Sequence, residues 1–322
     1  MWGINMAKVL VTESYLSAIA DAIRDRLGTA VTYTPAEMAA AIESIPTGGV
    51  DRLPERIANT LSGAWIDSTT TYVGKYAFAG CTLLTSAEFS AATNIDNYSF
   101  DSCTGIVSAI ANSSTRVGTY AFRGCTHLES ISFNSATAVG TYAFDECTAL
   151  SSISLPLAKT FGSYSFHNCD SLVSVSLPSA TSLNYTCLFD DCANLVEVDC
   201  NGGGRARLGQ STFRNCTKLK RVNAQFTGTY SYSFQGCTSL NGDGLDLSRC
   251  TNIAASSFQN CSSLTDLYLT YNGTTALANT TAFSGTPIAA LTGTIHVPAS
   301  RLETYKKAAR WSTYASIMVG DL

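Results

Sequence analysis

Charge is scarce in this sequence: Asp, Glu, Lys and Arg make up only 14% of its 322 residues, against roughly 25% in an ordinary soluble domain. With a net charge of −4, the chain has no basic field to neutralise phosphates, which excludes non-specific nucleic-acid binding and electrostatic adhesion to anionic membranes. Long apolar runs are missing as well. None approaches the roughly 20 residues that a bilayer helix needs, so no membrane insertion is expected. Residues 1–8 hold no charged segment followed by an apolar one, and no secretory leader is expected from them. Only three histidines are present, and no H-E-x-x-H, EF-hand loop, nucleophile elbow or C-x-x-C occurs. These absences predict a protein that is not an enzyme and holds no cofactor and no metal. The 45% hydrophobic fraction is ordinary, so a core can form under a surface of Ser, Thr, Asn and Gly.

A repeat dominates what is there. Phe-x-x-Cys recurs as Phe78/Cys81, Phe100/Cys103, Phe122/Cys125, Phe144/Cys147, Phe166/Cys169, Phe189/Cys192, Phe213/Cys216, Phe234/Cys237 and Phe258/Cys261, and a tenth copy at Phe283 has lost its cysteine. Successive phenylalanines lie 22, 22, 22, 22, 23, 24, 21, 24 and 25 residues apart. Leu or another apolar residue follows most cysteines by three, then an alternating pair such as Ile131/Phe133, Ile153/Leu155 or Val175/Leu177, with the period of a short strand. One such unit cannot bury its apolar face alone, and stacking solves this. The expected fold is mainly β: a parallel β-solenoid of about ten coils with strands about 4.8 Å apart, some 45 Å long.

The pattern L-x-x-[IV]-x-[LF] within 22 residues is that of a leucine-rich repeat. Tyr120-Ala-Phe-Arg-Gly-Cys-Thr-His-Leu-Glu-Ser-Ile-Ser-Phe133 closely resembles the BspA-like leucine-rich repeat family, over about 72–297. Equivalent cysteines in stacked coils hold their Cβ atoms near the coil spacing, beyond the usual reach of a disulfide, and a parallel column cannot converge on a tetrahedral metal. They are expected to be buried free thiols. Cys187, Cys200 and Cys250 sit outside the ladder.

The two ends differ in kind. Leu16, Ile19, Ile23 and Leu27 fall at helical spacing before Gly28. Thr34-Pro35-Ala36-Glu37 then forms a capping box ahead of Met38, Ile42 and Ile45, stopped by Pro46. The expected division is a helical hairpin over 1–46 for attachment or oligomerisation, a linker and capping coil over 47–72, repeats over 73–297 and a helical cap over 298–322. Leu53, Ile57, Leu61 and Trp65 mark the capping coil. Leu302, Tyr305, Ala309 and Trp311 mark a closing helix, and this ending also resembles the cap of BspA-like proteins. The stretch Val11-Thr-Glu-Ser-Tyr-Leu, Ile19-Ala-Asp-Ala-Ile-Arg and Tyr33-x-Pro-x-Glu-Met-Ala-x-Ala-Ile42 resembles the N-terminal module of bacteriophage and prophage tail and other virion proteins.

His127, His167 and His296 are expected to face solvent, as are the carboxylate pairs Asp145/Glu146 and Asp190/Asp191 between Phe and Cys. Asn201-Gly-Gly-Gly-Arg-Ala-Arg207 lacks the Lys-[Ser/Thr] of a P-loop and reads as a surface loop. The strand positions flanking the central apolar residue face outward. They are bland in the first coils (Ser130/Ser132, Ser152/Ser154, Ser174/Ser176) and diversify from the sixth. There Glu197, Asp199, Arg221, Asn223, Asp246, Asp266 and Tyr268 form a candidate partner surface of groups that recognise sugars or polar protein epitopes.

The two resemblances together imply a phage virion component of tail-fibre or receptor-binding type. Other virion proteins would bind the N-terminal module and a host cell-surface protein or glycan the solenoid, in a homo-oligomer such as a trimer. The alternative is a bacterial cell-surface adhesin binding host or matrix protein.

Overall fold

The computed structural model of the protein describes residues 61–200 and 205–322. The helices expected around Leu16, Ile19, Ile23, Leu27, Met38, Ile42 and Ile45, the linker, and Leu53 and Ile57 all lie outside these residues.

Each coil turns at a corner built on Tyr-x-Phe-x-x-Cys. Two left-handed residues make the turn: the tyrosine, as in Tyr76, Tyr98, Tyr120, Tyr142 and Tyr164 (φ 54–60), and the residue four further on, which is Gly80, Ser102, Gly124, Glu146 and Asn168 in turn. Gly, Asn and Asp recur at the second position because they tolerate positive φ best. Corners stack through backbone bonds such as Phe78 N to Ser99 O (2.7 Å) and Phe100 N to Ala121 O (2.7 Å).

The phenylalanines form one continuous stack from Phe78 to Phe283, with ring centroids 4.9–5.8 Å apart and planes within 11° of parallel. That spacing is the coil rise itself. Beside it runs the cysteine column. All twelve cysteines are free and buried, and each ladder thiol from Cys103 to Cys261 donates to the carbonyl of the phenylalanine one coil back, at 2.9–3.2 Å. The small side chain fills the corner and its S–H satisfies an otherwise buried carbonyl.

After the corner comes the strand read from the sequence: Leu84–Glu88, Ser108–Ile110, Ser130–Ser132, Ser152–Ser154, Ser174–Ser176, Glu197–Asp199 and Arg221–Gly228, stacked in parallel. Ala87, Ala109, Ile153, Val175, Val198 and Val222 point into the core. Each coil was expected to carry one strand. The structure adds a second row of two-residue strands before the corner: Tyr72–Val73, Asn94–Ile95, Arg116–Val117, Ala138–Val139 and Thr160–Phe161 form a five-stranded parallel sheet. Two residues are too short to show a period.

The two ends are closed in different ways, and only the C-terminal one departs from expectation. Strand Gly63–Ile66 pairs with Leu84–Glu88 and packs Trp65 edge-on to Phe78 at 5.4 Å. At the other end the helix spans only Leu302–Lys307; Ala308 is extended and Arg310 sits at φ 66. Ala309 is therefore exposed. Trp311 instead opens a 3-10 helix, Trp311–Ile317, and a final strand, Met318–Gly320, pairs with Thr294–Val297. Trp311 Nε1 donates to Thr275 O at 2.7 Å, and Trp311 and Tyr314 cover Phe283. Among the described residues no helix is long and apolar enough to cross a membrane.

Candidate functional site

Strand stacking puts equivalent side chains in rows. Ser152, Ser174, Glu197 and Arg221 are in register, as are Ser154, Ser176, Asp199 and Asn223. Glu197, Asp199, Arg221 and Asn223 are all exposed. Asn223 Nδ2 donates to Asp199 Oδ1 at 3.0 Å across the coils. The pairing then becomes irregular. The long strand Arg221–Gly228 also pairs with Arg205–Arg207, so the expected surface loop 201–207 ends in a strand. A register shift on its other side opposes Asp246 to Gln225. Asp246 is half-buried and accepts from Ser248 N at 2.9 Å, so its carboxylate is turned onto its own backbone.

Asp266 and Tyr268 stand elsewhere. Their strand, Asp266–Tyr268, begins a separate three-stranded sheet with Thr294–Val297 and Met318–Gly320. The Gly242–Gly244 turn packs in front of it, where a Cβ at Gly242 would meet Asp266 O at 2.1 Å. The seven candidate residues are thus divided between two rows. In the second row the Tyr268 ring stacks on His296 at 4.4 Å. His296 lies between two carboxylates, Nδ1 2.9 Å from Asp321 Oδ2 and Nε2 3.2 Å from Asp266 Oδ1. It is half-buried and bonded rather than facing solvent freely. The Thr265 hydroxyl, 2.7 Å away, and His296 hold the Asp266 carboxyl below its ordinary range.

A third arrangement lies on the corner, in the residue after each phenylalanine: Asp101, Arg123, Asp145, His167, Asp190 and Arg214 alternate in sign from coil two to coil seven. Arg123 forks onto Asp101 (2.8 and 2.9 Å) and Arg214 onto Asp190 (2.8 and 2.6 Å). His167 Nδ1 is 2.7 Å from Asp145 Oδ1. Asp145 and Asp190 are buried, which corrects the reading of these carboxylates and of His167 as solvated: a charge at this position needs its neighbour because the corner shields it from water. The Asp145 carboxylate raises the His167 pKa. Ligand atoms of His167, Asp190 and Asp191 lie within 4.8 Å of one another, but the Arg214 guanidinium occupies Asp190, and the group works as an ion-pair network. The alternation was readable in the sequence by aligning the coils on their phenylalanines.

Comparison with known proteins places the repeats. The family model for the BspA type leucine rich repeat region matches in six copies, over residues 59–157, 137–243 and 206–305. A search of curated proteins gives no match. Among solved structures, a T. pallidum leucine rich repeat protein is similar at 26% identity and a TM-score of 0.43, covering 46% of this chain and 72% of that one. A leucine-rich repeat protein from Eubacterium ventriosum is similar at 19% identity and a TM-score of 0.47, covering 62% of this chain and 59% of its own. A leucine rich cell surface protein from Faecalibacterium prausnitzii is similar at 19% identity and a TM-score of 0.38, covering 85% and 86%.

Proposed function

The chain belongs to the BspA type leucine rich repeat family, and from that premise we propose that it is a non-enzymatic binding protein of the bacterial cell surface, an adhesin whose solenoid meets a host or matrix protein. The observation that carries this reading is the change along one strand face. Ser152, Ser154, Ser174 and Ser176 present only hydroxyls, and in the same sheet and register Glu197, Asp199, Arg221 and Asn223 present exposed charge and amide. A sheet face offers area rather than a cleft, which suits a macromolecular partner better than a small substrate. Mixed charge of both signs favours a polar protein epitope through complementarity, and sets specificity more than raw affinity.

A second reading keeps the binding face but fixes it to a phage particle through residues 1–46, as a trimeric or other homo-oligomeric virion component. The order of sequence elements over 11–46 favours it; those residues lie outside the described structure, and the family match starts at residue 59. Antibody labelling separates the two. The adhesin reading expects label on intact producing cells that external protease removes. Recovery of the chain only in purified particle fractions would overturn it in favour of the virion.

A further inference from the structure

The net charge of −4 hides an uneven distribution along the array. Residues 61–204 hold twelve Asp or Glu and four Lys or Arg, whereas residues 205–249 hold seven Lys or Arg and two Asp. The second stretch covers the end of coil six, coil seven and coil eight, and its charge is opposite in sign to that of the coils before it. Of its two acids, Asp243 lies on the Gly242–Gly244 turn and Asp246 turns its carboxylate onto Ser248 N. Among its bases, Arg214 is held by Asp190 at the corner. Lys218, Lys220, Arg221 and Arg249 are exposed and enter no ion pair among the described residues.

The long strand Arg221–Gly228 sets these bases in a line across the array. Its outward residues Arg221, Asn223 and Gln225 alternate with Val222, Ala224 and Phe226 in the core. Lys218 and Lys220 stand in the turn that leads into the strand, and Lys218 Nζ donates to Asn194 Oδ1 at 2.6 Å. Further along, Arg249 of coil eight donates through Nε to Gln225 Oε1 at 3.1 Å, and Arg205 of coil six is in register with Gln225. Arg221 and Gln225 are four residues apart on the strand, about 13 Å. Cationic groups thus stand at both ends of a row whose middle is amide. Glu197 and Asp199, in register with Arg221 and Asn223, bound the row on the coil-six side, so the basic band is only two coils, about 10 Å, wide.

We propose that this band binds an anionic polysaccharide, a glycan chain bearing carboxylate or sulfate groups, laid along Arg221–Gly228. The guanidinium and ammonium groups pair with its anionic groups, and the amides of Asn223 and Gln225 with its hydroxyls. The width of the band selects a thin chain. A nucleic-acid duplex, whose major groove alone is about 12 Å wide, would lay its phosphates over Glu197 and Asp199. An acidic peptide that binds by adding a strand needs a free sheet edge, and Arg221–Gly228 is paired on both sides. This ligand is distinct from the protein partner proposed above, and the band does not depend on that partner.

Binding of the full chain to immobilised heparin, a sulfated and carboxylated glycan, measured by surface plasmon resonance, tests this. The native chain is expected to bind, and its affinity to fall about tenfold or more between about 50 mM and about 200 mM salt, because each pairing displaces a counterion. A variant carrying K218S, K220S and R249S is expected to bind at least about tenfold more weakly. A variant carrying R116S, K159S and K307S loses the same charge from exposed sites elsewhere, and is expected to stay within about twofold of the native chain. A variant carrying E197S and D199S, which alters the face assigned to the protein partner, is expected to bind heparin at least as tightly as the native chain. Absence of native binding at the lower salt, equal loss in the two triple variants, loss in the E197S and D199S variant, or displacement of the chain by duplex DNA as effectively as by free heparin would overturn the proposal.

Discussion

At the residue scale the stacked coils leave no room for a side chain at certain glycines. Gly118 and Gly140 lie where successive coils touch: a Cβ at Gly140 would meet the Gly118 carbonyl carbon at 2.5 Å, and one at Gly118 would meet Asp96 at 2.4 Å. Gly124 differs, because at φ +68 it has no atom within 3.7 Å of its missing Cβ. G124A is therefore expected to cost only the left-handed penalty, about 1–2 kcal/mol. G140A, opposed by backbone that cannot yield, is expected to exceed about 4 kcal/mol, as measured by denaturant unfolding. The thiols make a second prediction. Burial pushes Cys125 and Cys147 far up and Cys200 and Cys261 up to about 12, so the reactive thiolate is suppressed in the folded state. A thiol reagent at pH 8 should leave Cys125, Cys147, Cys200 and Cys261 unmodified in the native protein and reach all twelve cysteines after unfolding; rapid native reaction at Cys125 or Cys147 would contradict the packing.

At the element scale, the long-period signals were legible and the short ones were not. Phe-x-x-Cys and the alternating pair located every corner and the main strand row, because both recur at fixed offsets. The second strand row has two residues per coil and shows no period of its own; tertiary stacking makes it. The closing helix was overextended for a similar reason. Leu302, Tyr305 and Trp311 have apolar spacing compatible with one helix, but Ala308 turns extended and Trp311 reaches the core from a separate turn. Terminal coils must be sealed for the array to hold, and Trp311 seals the last one through Thr275, Phe283 and Tyr305. W311A is expected to cost about 3–5 kcal/mol locally. Limited proteolysis should then cut first within 276–300 while coils one to five stay intact, and cleavage beginning in the N-terminal coils would contradict that role.

At the scale of the whole molecule, each coil touches only its neighbours, so stability is approximately a sum over coils and their interfaces. The same one-dimensional order makes the strand face readable as rows. The sequence located Glu197, Asp199, Arg221 and Asn223 in one exposed patch because their strands keep register. It did not reveal that the Asp246 carboxylate folds onto its own backbone or that Asp266 and Tyr268 begin a new sheet, since a register shift in Arg221–Gly228 and the Gly242–Gly244 turn have no periodic signature. The alternating charges can be read by aligning the coils on their phenylalanines, but the burial of Asp145 and Asp190 beneath their partners shows only once the coils are stacked. On the proposed reading the face of coils six and seven recognises the partner, and the serine rows of coils four and five are its internal control. The most direct measurement is binding of the full chain to immobilised host cells and matrix proteins. The native protein is compared with a variant carrying E197S, D199S, R221S and N223S, and with one carrying S152N and S174N. The account predicts binding that the first variant loses at least tenfold and the second retains. Binding equal in all three, or in none of them to any target, would contradict it.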